Sequence, residues 1–105
     1  MIAETSISIR LEAYSWISSS LGMPERGRQV INKKLKTGAV LTDLLKELAG
    51  SYPEFRREVY DPERGWISDQ VMVIVNHKLI QAGEFAQTRL KDHDEVNLSP
   101  VLAGG

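Results

Sequence analysis

The 105-residue chain contains no cysteine. That absence excludes disulfides, thiolate zinc sites and a cysteine nucleophile together. Histidine is nearly absent as well. His77 and His93 stand far apart, with none of the paired spacing that holds a metal ion. No GxGxxG, P-loop or GxSxG motif occurs. Charge of one sign is also missing, since 13 basic and 14 acidic residues leave a net charge of −1. No overall field therefore favours nucleic acid or an anionic membrane, and neither is expected as a partner. No apolar run approaches the ~18 residues of a membrane span. The opening MIAETSISIR lacks a basic start followed by an apolar stretch, so no signal peptide is expected and the expected location is cytoplasmic.

What remains has the composition of one soluble domain, 42% apolar and 26% charged. Residues 6–12, SISIRLE, alternate strictly. Ile7, Ile9 and Leu11 fall on one face, and Ser8, Arg10 and Glu12 on the other. That is the period of a half-buried strand. SSSLGMPERG then has the composition of a loop. RQVINKKL, 28–35, is a weaker strand in which the adjacent Val30 and Ile31 leave the parity open. Around it Arg26, Arg28, Lys33, Lys34 and Lys36 occur with no acid between them. Such a cluster is either a solvated strand face or a surface for an acidic partner.

Leu41, Leu44, Leu45 and Leu48 recur at i, i+3, i+4 and i+7, which predicts a helix with one apolar stripe, stopped at Gly50. A second short helix is expected at SYPEFRREV, with Ser51 as cap and Pro53 in the first turn. DPERG, 61–65, reads as a turn. VMVIV, 71–75, is the strongest strand, and a two-residue turn at Asn76-His77 would pair it with 78–81. Asp92, Asp94 and Glu95 are expected to form a further turn rather than a metal or acid–base cluster. His77 and His93 are read as turn residues, and Trp16 and Trp66 as packing residues. A last strand carries Val96 and Leu98 on one side.

The order strand, strand, helix, strand, short strand, strand predicts an α+β fold, a helix laid across one face of a mixed sheet. On 71–75 the valines share one face, and Met72 and Ile74 share the other. A helix covers only one of those faces. Met72 and Ile74 then meet either a partner or the long loop 13–27, with Tyr14, Trp16 and Leu21, folded over them.

The second half carries a family signature. GAVLTDLLKELAGSYPEF, VMVIVNHKLI and RLKDHDEVNLSPVLAGG resemble the Gly-rich turn and helix, the hydrophobic strand, and the closing pattern of the MoaD/ThiS family of ubiquitin-like sulfur carriers. Asp92, Asp94, Glu95, Val96, Pro100, Gly104 and Gly105 stand in the matching places, with Leu102 for a usual valine. His77 and His93 each replace a turn glycine, and the N-terminal third is longer than the family's first hairpin.

The resemblance implies a β-grasp domain over 1–99 with a short second helix, followed by an extended tail over 100–105. It implies a carrier, not an enzyme, that binds no cofactor itself. An adenylyltransferase similar to MoeB or ThiF uses ATP to adenylate the Gly105 carboxylate, and sulfur then replaces AMP to give a thiocarboxylate. An α-carboxyl group with a pKa near ~3.5 is an anion at neutral pH and can attack an α-phosphate. Acyl-AMP has a good leaving group, so a sulfur nucleophile can take the acyl carbon.

Gly104 and Gly105 have no Cβ to clash in a narrow channel. Pro100 stiffens the exit from the body. Five residues beyond it, extended at ~3.3 Å each, reach ~17 Å. Val101, Leu102 and Ala103 would thread into the partner with them. The expected acceptor enzyme is the large subunit of molybdopterin synthase, with thiamine or cysteine synthesis as alternatives. A protein modifier joined through Gly105 to lysines, and a β-grasp interaction module with an incidental tail, are the other readings.

Overall fold

The computed structural model describes residues 6–23 and 28–101. Within them, β1 (Ser6–Tyr14), α1 (Trp16–Ser20), β2 (Arg28–Lys36), α2 (Leu41–Ser51), α3 (Pro53–Glu58), β3 (Tyr60–Asp61), β4 (Trp66–Ile67), β5 (Val71–Val75), β6 (Lys78–Ile80), a 3₁₀ helix (Ala82–Gln87) and β7 (Glu95–Pro100) follow in order. The main sheet has the order β2-β1-β7-β5-β6, and β3 and β4 form a separate hairpin. The central pair β1–β7 is parallel and its neighbours pair antiparallel. With α2 across one face this is the β-grasp arrangement that the sequence predicts.

Periodicity explains the layers. Ile7, Ile9, Leu11 and Ala13 of β1, Val73 and Val75 of β5, and Val96 and Leu98 of β7 are buried on the helix side. They meet Leu41, Leu44, Leu45 and Leu48 of α2 in one core. Fully burying a leucine side chain is worth roughly 1.5–3 kcal/mol, so this stripe fixes the position of α2. Val40 precedes the helix with an extended backbone, and its N–H donates to Asp43 Oδ2 at 2.9 Å. That bond satisfies one of the amides a helix start otherwise leaves bare. Leu41 N–H donates to the Thr88 carbonyl and Leu90 N–H to the Ala39 carbonyl, tying the helix start to the segment before β7.

Several local expectations change. α2 runs through Gly50 to Ser51, and an extended Tyr52 rather than the glycine ends it. Tyr52, not Ser51, is the cap of α3. β1 continues two residues past the expected Glu12, and the supposed loop contains α1. Ser18 and Ser20 are buried there because their hydroxyls donate to the carbonyls of Ser15 and Ile17. α1 packs against α3 and the ends of β1 and β7, sending Ile17 and Leu21 into the core on the helix side. They are therefore not spent over Met72 and Ile74. The expected turn at 61–65 joins β3 to β4.

Candidate functional site

The tail begins at the centre of the sheet. β7 ends at Pro100, which lies opposite Val71, and Val101 N–H still donates to the Gln70 carbonyl at 2.8 Å. Hydrogen bonds alternate along an antiparallel pair, so with the Val101 amide turned to β5 the Pro100 nitrogen faces the β1 side. The β1 ladder has already ended there, at Ala13–Leu98. Proline thus closes β7 at no cost in ladder bonds. Val101 is 40% exposed and leaves the body beside the start of β5. Leu102, Ala103, Gly104 and Gly105 lie outside the described residues.

The face opposite α2 is built by register. One row runs Val30–Glu12–Asn97–Ile74–Leu79 across all five strands. Met72 lies in the adjacent row, opposite Ser99. Met72 and Ile74 are half-buried, while Leu79 is 48% exposed and Val30 is exposed at the far edge. Leu79 escaped the sequence reading, although its alternation with the buried Ile80 was a signal for it.

Between the apolar ends lies a polar network. Glu12 is only 5% exposed. It pairs with Arg10 Nε at 3.0 Å and Arg28 Nη1 at 3.8 Å, and accepts the Tyr14 hydroxyl at 3.2 Å. Burial, then the bond to Glu12 and its negative charge, raise the Tyr14 pKa above its ordinary value of 10.0. A buried carboxylate is tolerated when it is paired and hydrogen-bonded in this way. Asn97 Oδ1, next to Glu12 in the row, is buried with no hydrogen-bond partner among the described residues.

The basic cluster divides between faces. Ile31 and Leu35 of β2 point inward, which settles the parity, so Arg28, Lys34 and Lys36 share the open face with Val30. Lys33 lies on the helix side, 3.5 Å from Glu47 of α2. Arg26 lies outside the described residues.

The acidic trio does structural work at the opposite end from the tail. Asp92 Oδ1 accepts the Ser8 N–H at 2.7 Å, and Asp94 Oδ2 accepts the Lys91 N–H at 2.8 Å. Asn76 Nδ2 donates to Asp94 Oδ1, and Glu95 N–H donates to Asn76 Oδ1. Among the described residues no group of side chains could hold a metal ion. No helix among them is long and apolar enough to cross a membrane.

The ThiS family model matches residues 28–105. No curated protein matches the chain by sequence. Among solved structures, the HVO 2177 protein of Haloferax volcanii is similar over 100% of this chain and 92% of its own, with a TM-score of 0.74 and 22% identity. The small archaeal modifier protein 1 of the same organism superposes with a TM-score of 0.69 at 18% identity, covering 91% of this chain and 99% of that one. A candidate molybdopterin converting factor subunit 1 of Pyrococcus furiosus gives 0.65 at 22% identity, over 91% and 99%. At these identities the structural likeness speaks for the fold.

Proposed function

Because the chain belongs to the ThiS family, we propose that it is a sulfur carrier whose reactive group is the Gly105 carboxylate. In the proposed sequence, the carboxylate oxygen attacks the α-phosphorus of ATP on a MoeB- or ThiF-like adenylyltransferase, and pyrophosphate leaves. Hydrosulfide then attacks the acyl carbon, its S–C bond replaces the C–O bond to AMP, AMP leaves, and the thiocarboxylate results once the sulfur has lost its proton. With no cysteine in the chain, the terminal acyl carbon is the natural place for it to hold sulfur covalently.

The observation that carries this reading is the family match running to Gly105, on a chain whose central strand delivers Val101 to the surface. Pro100 sets the exit, and Val101, Leu102, Ala103 and Gly104 thread into the partner. The open face with Met72, Ile74 and Leu79 is the surface on which the body docks. It offers apolar contact at both ends of a network in which Glu12 is buried and its partners Arg10 and Arg28 remain exposed to a docking partner. Arg28, Lys34 and Lys36 border it and favour an acidic partner edge.

The acceptor proposed first is the large subunit of molybdopterin synthase, a reading supported by the fold shared with the Pyrococcus protein and by the PVLAGG ending. The likeness to small archaeal modifier protein 1 supports a second reading, in which the activated Gly105 forms an amide with a target lysine. Incubation with the activating enzyme, ATP and a sulfur donor separates them. Replacement of one oxygen by sulfur supports the carrier, and lysine-linked adducts of other proteins support the modifier. Activation that survives deletion of Gly105 would sink both.

A further inference from the structure

Ser68 stands between β4 and β5 and is only 9% exposed. Its N–H donates to the carbonyl of Val59 at 2.9 Å, and Val59 is fully buried at the end of α3. Its Oγ accepts the Gln70 N–H at 3.1 Å. A buried hydroxyl is costly unless it is hydrogen-bonded, and this one is bonded to the backbone two residues ahead. That bond closes the 68–70 turn and leaves the Gln70 carbonyl directed at β7, where it accepts the Val101 N–H at 2.8 Å. One line of hydrogen bonds thus runs from the core through Ser68 and Gln70 to the residue at which the tail leaves the body.

The hold at Val101 matters because β7 has lost its other neighbour there. The ladder with β1 stops at Ala13–Leu98, and Pro100 has no N–H to donate. With Val101 held, the four residues that follow span at most about 13 Å when extended. Ladder bonds alternate, so the next hold upstream is the Met72–Ser99 pair. With Val101 released, six residues beyond Ser99 would form the arm, about 20 Å when extended. A longer arm has more backbone freedom to lose on entering a narrow channel, and it carries Gly105 through a wider volume.

We propose that Ser68 is a positioning residue for the reaction at Gly105. Its hydroxyl keeps the Val101 amide docked on Gln70, and so fixes the length and the starting direction of the arm that enters the activating enzyme. Ser68 acts through Gln70 and does not touch the reacting atoms. Its part in the reaction rests on the tail reading, whereas the hydrogen bonds stand without it.

Ser68→Ala removes the hydroxyl and keeps the N–H bond to Val59. In the full chain it should speed hydrogen exchange of the Val101 amide about tenfold, within the range of one hydrogen bond, and that of Leu98 much less. In adenylation by the activating enzyme it should raise KM for the carrier about tenfold with kcat little changed, because the freed residues are ordered on entry. Ser68→Thr retains the hydroxyl and should return both values towards those of the parent. Gln70→Gly loosens the same turn at an exposed position and should move both as Ser68→Ala does. If Ser68→Ala does not fold, Gln70→Gly and Ser68→Thr carry the test. Every variant is assayed well below its melting temperature, so that an unfolded fraction does not imitate a raised KM. Unchanged Val101 exchange overturns the proposal. Faster exchange with unchanged KM overturns the positioning role and leaves the tail reading standing. A raised KM that Ser68→Thr does not restore overturns the role of the hydroxyl. If the parent is not adenylated by an enzyme that adenylates a control carrier, the tail reading fails and the positioning role with it.

Discussion

Asn76, His77 and His93 hold φ angles of 49°, 71° and 73°. Asparagine tolerates the left-handed region, and histidine does so at a cost that glycine avoids. The Asn76-His77 pair closes the β5–β6 hairpin with two consecutive positive φ values, the geometry that matches strand twist. His93 donates its N–H to the Ser8 carbonyl at 2.7 Å, so its backbone is fixed whatever its side chain does. Its contact with Asp92, 3.2 Å from Nε2, is solvent-exposed and worth little. His77→Gly and His93→Gly should each stabilise the fold by about 0.5–1 kcal/mol, read as a higher urea midpoint with an unchanged m-value. A lower midpoint would mean that the imidazoles make contacts stronger than the strain. These positions were legible in the sequence as turns, because Asn76 and the DxDE pattern mark them.

Tyr14 and Tyr60 extend the residue argument to pH. Burial raises the Tyr60 pKa, and burial followed by Glu12 raises that of Tyr14, both from an ordinary 10.0. A raised folded-state pKa means the native chain binds the phenolic proton more tightly than the unfolded chain. The resulting stabilisation is complete below pH ~10 and is lost as pH rises through the folded-state values. Stability should fall above pH ~10, and Tyr14→Phe/Tyr60→Phe should flatten that fall in a pH series of denaturant midpoints. An identical alkaline slope in parent and variant would contradict the assignment.

At the scale of elements, α2 decides the fold, because its leucines meet valines and isoleucines from β1, β5 and β7 in one core. Leu44 is fully buried, and Leu44→Ala should cost about 2–5 kcal/mol, a large share of a domain's ~5–15 kcal/mol. A cost under 1 kcal/mol, measured by urea unfolding, would place the helix differently. The stripe and the alternation of β1 were legible because each repeats several times in an unbroken period. β2 was not, since Val30 and Ile31 fit either parity. Its face is chosen by pairing with β1 and by the contact of Lys33 with Glu47 on another element. α1 was illegible for another reason. Its serines look like loop residues until their hydroxyls are seen bonding carbonyls three residues back. The β3–β4 hairpin, two residues on each side, is too short for any periodicity.

On the scale of the whole molecule, the two ends have different tasks. At one, Asp92, Asp94 and Asn76 lock β1, β5 and β7 together by accepting backbone N–H groups and through the Asn76–Asp94 side-chain bond. At the other, β7 passes Val101 to the surface, its N–H held by the Gln70 carbonyl. The open face joins them, with its apolar ends and buried Glu12. Ile74→Glu/Leu79→Glu changes only half-buried and exposed positions, so it should leave the fold intact. Each charge placed against a docking partner costs affinity, and together they should lower adenylation by about tenfold or more. Unaltered adenylation kinetics would move the docking surface elsewhere. Leu79 on that face was not read from the sequence, because its exposure depends on the pairing of β6 with β5.

Gly105 is the reactive residue of the proposed carrier. The most direct test is fragmentation mass spectrometry of the intact chain after incubation with ATP, a MoeB- or ThiF-like activating enzyme and a sulfur donor. A single oxygen-to-sulfur exchange is expected, confined to the fragment that ends in Gly105, absent without ATP and absent from the chain lacking Gly105. Sulfur found elsewhere in the chain, or no exchange in an assay that loads a control carrier, would contradict it.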